Sequence, residues 1–327
     1  MKEEPSSPRE PGRFARIALG WSGVVSFALL WELSGRLGWV DRAFVPPLTE
    51  VVGTIGQMTS NGTMISHVLV STFRAVLGFV FAIAIGLPLG ILLGYRAPLA
   101  YAIVEPLLRV LSQVNPFSLM PVFLLFFGSG EMVKLAAVAW VALWPIVFYT
   151  VTAMSTIDTS LLKTARAMAA APATLLWRVA LPAAIPTVFV GIRIASSLVF
   201  FVLVGAEMLG TTGGLGWLVH NSAMNYQIRG IYAGALLVIL LGYGLHTGLV
   251  AIETRLFARE GPLFDAFARD RRPILKPLRP IHALSLGLAL LTIVALGGIE
   301  VWRLRAHDRT GTVGSRSYEA PSTAAGW

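Results

Sequence analysis

The sequence contains no cysteine. That excludes disulfides, thiolate zinc sites and cysteine nucleophiles. Charge is scarce: only 13% of residues are Asp, Glu, Lys or Arg, against about 25% in soluble globular chains. The five histidines are scattered, with no His-x-x-x-His or comparable metal spacing. No Gly-x-x-x-x-Gly-Lys-Ser/Thr loop occurs, so ATP is not held in this chain by such a phosphate cradle.

What is present is apolar. Hydrophobic residues make up 55% of the 327, and the mean hydropathy is +0.72. The excess runs through most of the chain, which fits one polytopic membrane domain better than two soluble ones. The net charge of +9 could suggest nucleic acid. Its basic residues flank apolar runs, however, and form no basic domain of their own. That is the Lys and Arg bias of cytoplasmic membrane loops.

A spanning helix needs about 20 largely apolar residues. Such stretches lie at 17–36, 72–94, 101–127, 133–153, 187–209, 230–252 and 281–302. The expected fold class is all-α and polytopic. Residues 1–16 are polar and proline-rich and are expected to be disordered. No small-residue cleavage site follows Ile17–Trp31, so this run reads as an uncleaved first span. Lys2, Arg9, Arg13 and Arg16 favour a cytoplasmic N-terminus in the cell membrane. Counting spans then places 154–186 and the basic linker 253–280 in the cytoplasm. The seventh run disagrees: if 281–302 crosses, the polar tail 303–327, with Arg303, Arg305, Arg309 and Arg316, lies outside. Either the linker fixes the orientation, or the run does not cross fully.

Several residues are candidates within or beside the spans. Gly78, Gly86, Gly90 and Gly94 share one helix face, where a neighbouring helix can approach closely. The third span is interrupted around Asn115, Pro116 and Pro121. Irregular backbone at membrane depth must be buried in protein or face a watery cavity, so a translocation pathway and a kinked packing helix both fit. Glu131 and Glu207 are intramembrane ionisable residues; near helix ends they could instead anchor loops. Arg74 and Arg193 suit an anionic substrate or snorkelling to the interface. Gly214 and Gly216 lie in "TTGGLGWLV", either a short re-entrant helix forming an outer gate or a plain connection.

The segment "TARAMAAAPATLLWRVALPAAIP" separates two of the longest apolar runs. Asp158 is a plausible N-cap for a helix over about 159–170. Leu161, Ala165 and Met168 fall at i, i+4 and i+7, giving it one apolar face. Pro172 stops that helix and suits the start of a second, with Leu175, Leu176 and Val179 on its apolar face. Pro182 is expected to end the second helix and Pro186 to bend the chain back into the membrane. The result is a helical hairpin with Ala169, Ala170 and Ala171 at its tip. So apolar a tip suits burial in another protein's groove; packing beneath the protein's own bundle is the alternative.

This segment resembles the coupling loop of ABC-importer permeases, whose motif reads E-A-A, three residues, G, nine residues, I-x-L-P. Anchored on Leu181 and Pro182, the motif puts Val179 at the isoleucine, Ala169 at the glycine, and Lys163, Thr164 and Ala165 at E-A-A. A branch variant, A-R-x-x-G-A followed by V-x-L-P-A-A-x-P, is met by Ala165, Arg166, Ala170 and Val179 to Pro186, with Ala169 again replacing glycine. The flanking stretches "NPFSLMPVFLLFFGSGE", "GIRIASSLVFFVLVGAEMLGTTGGLGWLV" and "STFRAVLGFVFAIAIGLPLGILLGY" are similar to spans of the nitrate, sulfonate and taurine branch. The likeness covers roughly 70–260 and leaves 261–327 outside it.

The resemblance implies a six-helix type I permease core over 17–260; the basic linker 261–280 and an extra hydrophobic span 281–302, read from composition, lie outside it. It further implies a permease subunit for a small solute, such as a sulfonate, taurine or nitrate, with no enzymatic chemistry or cofactor of its own. ATP and magnesium would belong to separate ATPase subunits. An extracytoplasmic binding protein would deliver cargo, and a second permease chain, as a homodimer, would complete the pathway. Lys163, Ala165, Arg166, Met168, Ala169, Ala170, Val179, Leu181 and Pro182 would form the ATPase-coupling site. The competing classes are a secondary transporter, which would show internal repeats, and an intramembrane enzyme, which would need converging polar groups.

Overall fold

The computed structural model describes residues 13–257, apart from 129, 210 and 211, together with 292 and 294–304. Every regular element among them is helical. Among the described residues, four helices are long and apolar enough to cross a membrane: Thr63–Arg96, Glu131–Ser155, Pro172–Met208 and Ile228–Glu253.

Helix α1 (Arg13–Arg36) begins four residues inside the tail expected over 1–16. Residues 1–12, the linker 261–280, most of the run 281–302 and the tail from 305 lie outside the described residues. Helix α2 (Leu48–Ser60) has no side-chain cap of its own at Pro47. Glu32 from α1 supplies the acceptor, receiving the Thr49 backbone N–H at 3.0 Å.

Three long helices form the core. They are α3 (Thr63–Ile91), which a five-residue π turn carries on to Arg96, α6 (Glu131–Ser155) and α9 (Leu181–Met208). The α3–α6 interface is built on the glycine stripe. A methyl group added to Gly78 would stand 2.7 Å from Val138, one on Gly86 2.9 Å from Ile146, and one on Gly90 2.5 Å from Thr150. Lipid is as apolar as leucine, so close backbone packing of this kind, not transfer from water, holds membrane helices together. The stripe is thus a packing face. Val188, Ala195, Val199 and Leu203 bring α9 into the same core.

The expected third span is two helices, α4 (Pro98–Ser112) and α5 (Met120–Phe127). The break falls at Pro116, where Asn115 Oδ1 accepts the Phe117 N–H at 2.9 Å. Trp140 on α6 donates to the Val114 carbonyl at 3.3 Å, and the Phe117 ring packs on Gly205 of α9. The irregular backbone is therefore seated against protein.

The hairpin consists of α7 (Thr159–Ala167), α8 (Pro172–Thr174) and a π turn over Leu175–Ala180. Here one expectation fails. Pro182 does not end a helix and Pro186 does not return the chain: both lie within α9, in a helical run continuous from Pro172 to Met208. A proline ring crowds the carbonyl four residues earlier. The π turn ends just before Pro182, and its wider winding gives the ring room.

Helix α10 (Leu215–Met224) makes "LGWLV" helical, with Gly214 as its N-cap. Helix α11 (Ile228–Phe257) runs back along α9, and residues 294–304 form a further helix, α12. The bundle has two distinct ends. The hairpin marks one; the N-terminus of α3, the C-terminus of α9 and α10 mark the far end.

Candidate functional site

Asp158 caps α7 as its residue type suggests, accepting the Ser160 backbone N–H at 2.8 Å. The N–H bond and its partner hold the Asp158 carboxyl below the usual carboxylate range. Helix α7 folds against the π turn. Leu175 and Ala180 are buried, and Leu176 and Leu181 pack on the core. The apolar side of the second half of the hairpin therefore faces the protein's own bundle, and Val179 is half-buried with it.

The first half differs. The predicted apolar face of α7 is left open, with Leu161 exposed and Met168 79% exposed. Lys163, Arg166 and Ala169 are exposed beside it, as is Pro182 below, while Ala165 and Ala170 are half-buried. Trp177 is exposed as well. From 159 to 186 the chain carries Lys163, Arg166 and Arg178 and no acidic residue. Ala169, at the motif's glycine position, has φ +54°. The tip has thus kept the left-handed backbone that glycine adopts freely, although alanine is strained there.

A second constellation lies at the far end. Arg74 on α3 is 2% exposed and Glu207 in the last turn of α9 is 0% exposed. Arg74 Nη1 donates to Glu207 Oε1 at 2.8 Å and to the Gly213 carbonyl at 2.7 Å. Its Nε and Nη2 grip the two oxygens of Glu131 on α6. Lys134 Nζ reaches Glu131 at 3.3 Å. Two cations thus meet two carboxylates, and Glu207 has further donors. Ser71 donates its hydroxyl to Glu207 at 2.8 Å and accepts the Leu215 N–H at 2.8 Å. The Gly216 N–H donates to Glu207 Oε2 at 2.9 Å. His67 Nδ1 accepts the Gly214 N–H at 3.2 Å. Gly214, at φ +114°, and Gly216 press so close to Glu207 and Val204 that any Cβ there would collide.

Glu131, Glu207, Gly214 and Gly216, singled out separately in the sequence, are therefore one site. Asn115, Pro116 and Pro121 are not part of it; Asn115 and Pro116 sit in the α4–α5 break and Pro121 in the first turn of α5. Both arginines are paired. Arg74 is the hub of the ion group, and Arg193 pairs with Glu253 of α11 at 3.1 Å. Ser71, Lys134 and His67 carry no sequence signal of this role. For Arg74 the signal was its place inside an apolar run, where a cation requires a partner.

The two features sit at opposite ends of one helical bundle, and known proteins share much of that bundle. The family model described as "Binding-protein-dependent transport system inner membrane component" matches residues 86–257. The chain is 29% identical over 238 residues to the putative aliphatic sulfonates transport permease protein SsuC of Bacillus subtilis, covering 72% of this chain and 85% of that one. It is 26% identical over 248 residues to the taurine transport system permease protein TauC of Escherichia coli, covering 74% and 89%. It is 27% identical over 239 residues to the nitrate import permease protein NrtB of Synechococcus elongatus, covering 73% and 82%. Among solved structures, a chain of the MetNI methionine ABC transporter in an inward-facing crystal form superposes with a TM-score of 0.52 at 20% identity, covering 60% of this chain and 97% of that chain.

Proposed function

Because the chain belongs to the family of inner-membrane components of binding-protein-dependent transport systems, as an ABC-importer permease of the sulfonate, taurine and nitrate type, we propose that it couples ATP hydrolysis on separate subunits to uptake of a small anion. The observation that carries this reading is the hairpin. It presents an open apolar strip, Leu161 to Met168, flanked by Lys163 and Arg166. An apolar strip rimmed by charge is the usual form of a protein-binding surface.

In this reading the hairpin end is cytoplasmic, as the bias of Lys163, Arg166 and Arg178 favours. Met168 and Leu161 seat in a cleft of the ATPase. Lys163 replaces the motif's glutamate, so the facing ATPase surface carries carboxylates where a glutamate would call for a cation. The far-end ion group keeps the extracytoplasmic ends of α3, α6 and α9 together and anchors the Gly214–Gly216 turn. Asn115 and Pro116 in the α4–α5 break, and Pro121 in the first turn of α5, face the pathway. A second copy of the chain and a binding protein complete the importer.

The test is Ala169→Asp in the chain reconstituted with its ATPase subunits. Aspartate tolerates the left-handed backbone, so the hairpin keeps its shape while a charge enters the contact. Co-purification of the subunits is expected to persist, while cargo-stimulated ATP hydrolysis and uptake fall at least tenfold. Unchanged coupling in that variant overturns the docking.

A further inference from the structure

Helix α12 lies beyond the family-matched segment, and its contacts with α3 are close. A methyl on Gly297 would stand 2.5 Å from the Leu69 carbonyl oxygen and 2.6 Å from Phe73 Cβ. One on Gly298 would stand 3.3 Å from the Phe73 ring. The Ser66 hydroxyl donates to Glu300 Oε1 at 2.9 Å. Val301 is buried, and Leu304 Cδ1 lies 2.8 Å from where a Cβ on Gly213 would be.

These contacts have a pattern. Gly297, Glu300, Val301 and Leu304 fall at i, i+3, i+4 and i+7, one face of a helix. Their partners on α3, Ser66, Leu69 and Phe73, are spaced i, i+3 and i+7. Rising numbers on α12 meet falling numbers on α3, so the two helices are antiparallel. Helix α3 runs from the far end toward the hairpin end, and α12 therefore runs toward the far end. The small residues allow the backbones to close, and the Ser66–Glu300 hydrogen bond fixes the register within an apolar seam.

The seam also reaches the ion group. Phe73 precedes Arg74, and Gly213, under Leu304, is the residue whose carbonyl accepts from Arg74. The same turn is held on one side by buried charge and on another by α12. We propose that α12 is a fixed brace on the far end of α3 and on the Gly213 turn, and that the chain leaves it at Leu304 on the membrane face opposite the coupling hairpin. Of the two options for the seventh run, the brace requires the crossing one.

The cysteine-free chain makes the test direct. Two cysteine pairs are introduced into the full-length protein, Ser66→Cys with Glu300→Cys and Gly213→Cys with Leu304→Cys. Arg193→Cys with Glu253→Cys serves as a control for α9–α11 packing. Under mild oxidation in native membranes at least one far-end pair is expected to cross-link as completely as the control. Absence of both far-end products while the control forms overturns the brace. In a second arm, single variants Arg303→Cys and Met168→Cys are labelled with a membrane-impermeant maleimide in right-side-out and inverted vesicles. Labelling from opposite sides is expected; labelling of both from one side overturns the crossing. In a third arm, which rests on the importer reading, the complex with ATPase subunits is compared at rest and trapped with ATP and vanadate. Equal cross-linking in both states is expected, and cross-linking in one state alone overturns a fixed brace. The first two arms need no ATPase, so failure of the importer reading stays distinguishable from failure of the brace.

Discussion

Arg74 and Glu207 stand 133 positions apart in the chain and meet at 2.8 Å, both buried. Both side chains are withdrawn from bulk solvent, so each charge depends on the other and on the surrounding donors. Removing one partner of such a pair strands the remaining charge and costs about 3–5 kcal/mol. Glu207→Gln keeps the shape and removes the charge. It is expected to lower the thermal midpoint of the purified protein sharply, as followed by tryptophan fluorescence. Lys134→Met should cost much less, because Glu131 already receives two bonds from Arg74. Equal losses in the two variants would mean that Lys134 is as central as Glu207.

The Ala169 backbone gives a prediction of opposite sign. Alanine at φ +54° is strained by roughly 1–2 kcal/mol, and glycine relieves that strain at some cost in unfolded-chain entropy. Ala169→Gly is expected to stabilise the hairpin by about 1 kcal/mol net. Slower hydrogen exchange of the Met168–Ala171 amides is the check. Faster exchange would show that the tip is not held in the left-handed form.

Asp158 supplies a pH dependence. Its carboxyl is held below the ordinary range by the Ser160 N–H and the Ser160 side chain. A depressed folded value means that the cap's contribution is complete above the unfolded carboxylate range and disappears as pH falls through the lowered value. Fraying of the first turn of α7, followed by exchange of the Ser160 amide, should therefore rise only in acid. Asp158→Asn keeps an acceptor without the titration, and its fraying should be independent of pH across that window.

The glycine stripe is tested by position. Gly90→Val inserts bulk into a site where even a methyl would stand 2.5 Å from Thr150. It should destabilise the α3–α6 contact by about 1–3 kcal/mol. Gly56→Ala in α2 meets nothing within 4 Å and should raise helix stability by up to about 1 kcal/mol. Thermal midpoints moving in opposite directions confirm the stripe; midpoints moving together exclude it.

How far residues announce these features depends on the range over which they act. The Asp158 cap and the Pro172 helix start are local chemistry, and both were readable along the chain. Glycines four and eight apart name a face, though not the partner, because Val138, Ile146 and Thr150 lie on another helix. Pro182 and Pro186 misled because a membrane helix tolerates interior proline, as it also does at Pro88 and Pro145, and the π turn before Pro182 is invisible in composition. Arg74, Glu131 and Glu207 could each be flagged as buried charge, but their convergence depends on the packing of three helices. Ser71 and His67 bear no charge that would have drawn notice.

The uninterrupted run from Pro172 to Met208 is 37 residues long, roughly 55 Å at 1.5 Å per residue, well beyond the ~30 Å hydrocarbon layer. Trp177 near one tip and Glu207 near the other belong to one helical run, with a π turn and two prolines but no loop between them. Torque applied outside the bilayer on one side would be delivered, undamped by any loop, to the buried carboxylate on the other.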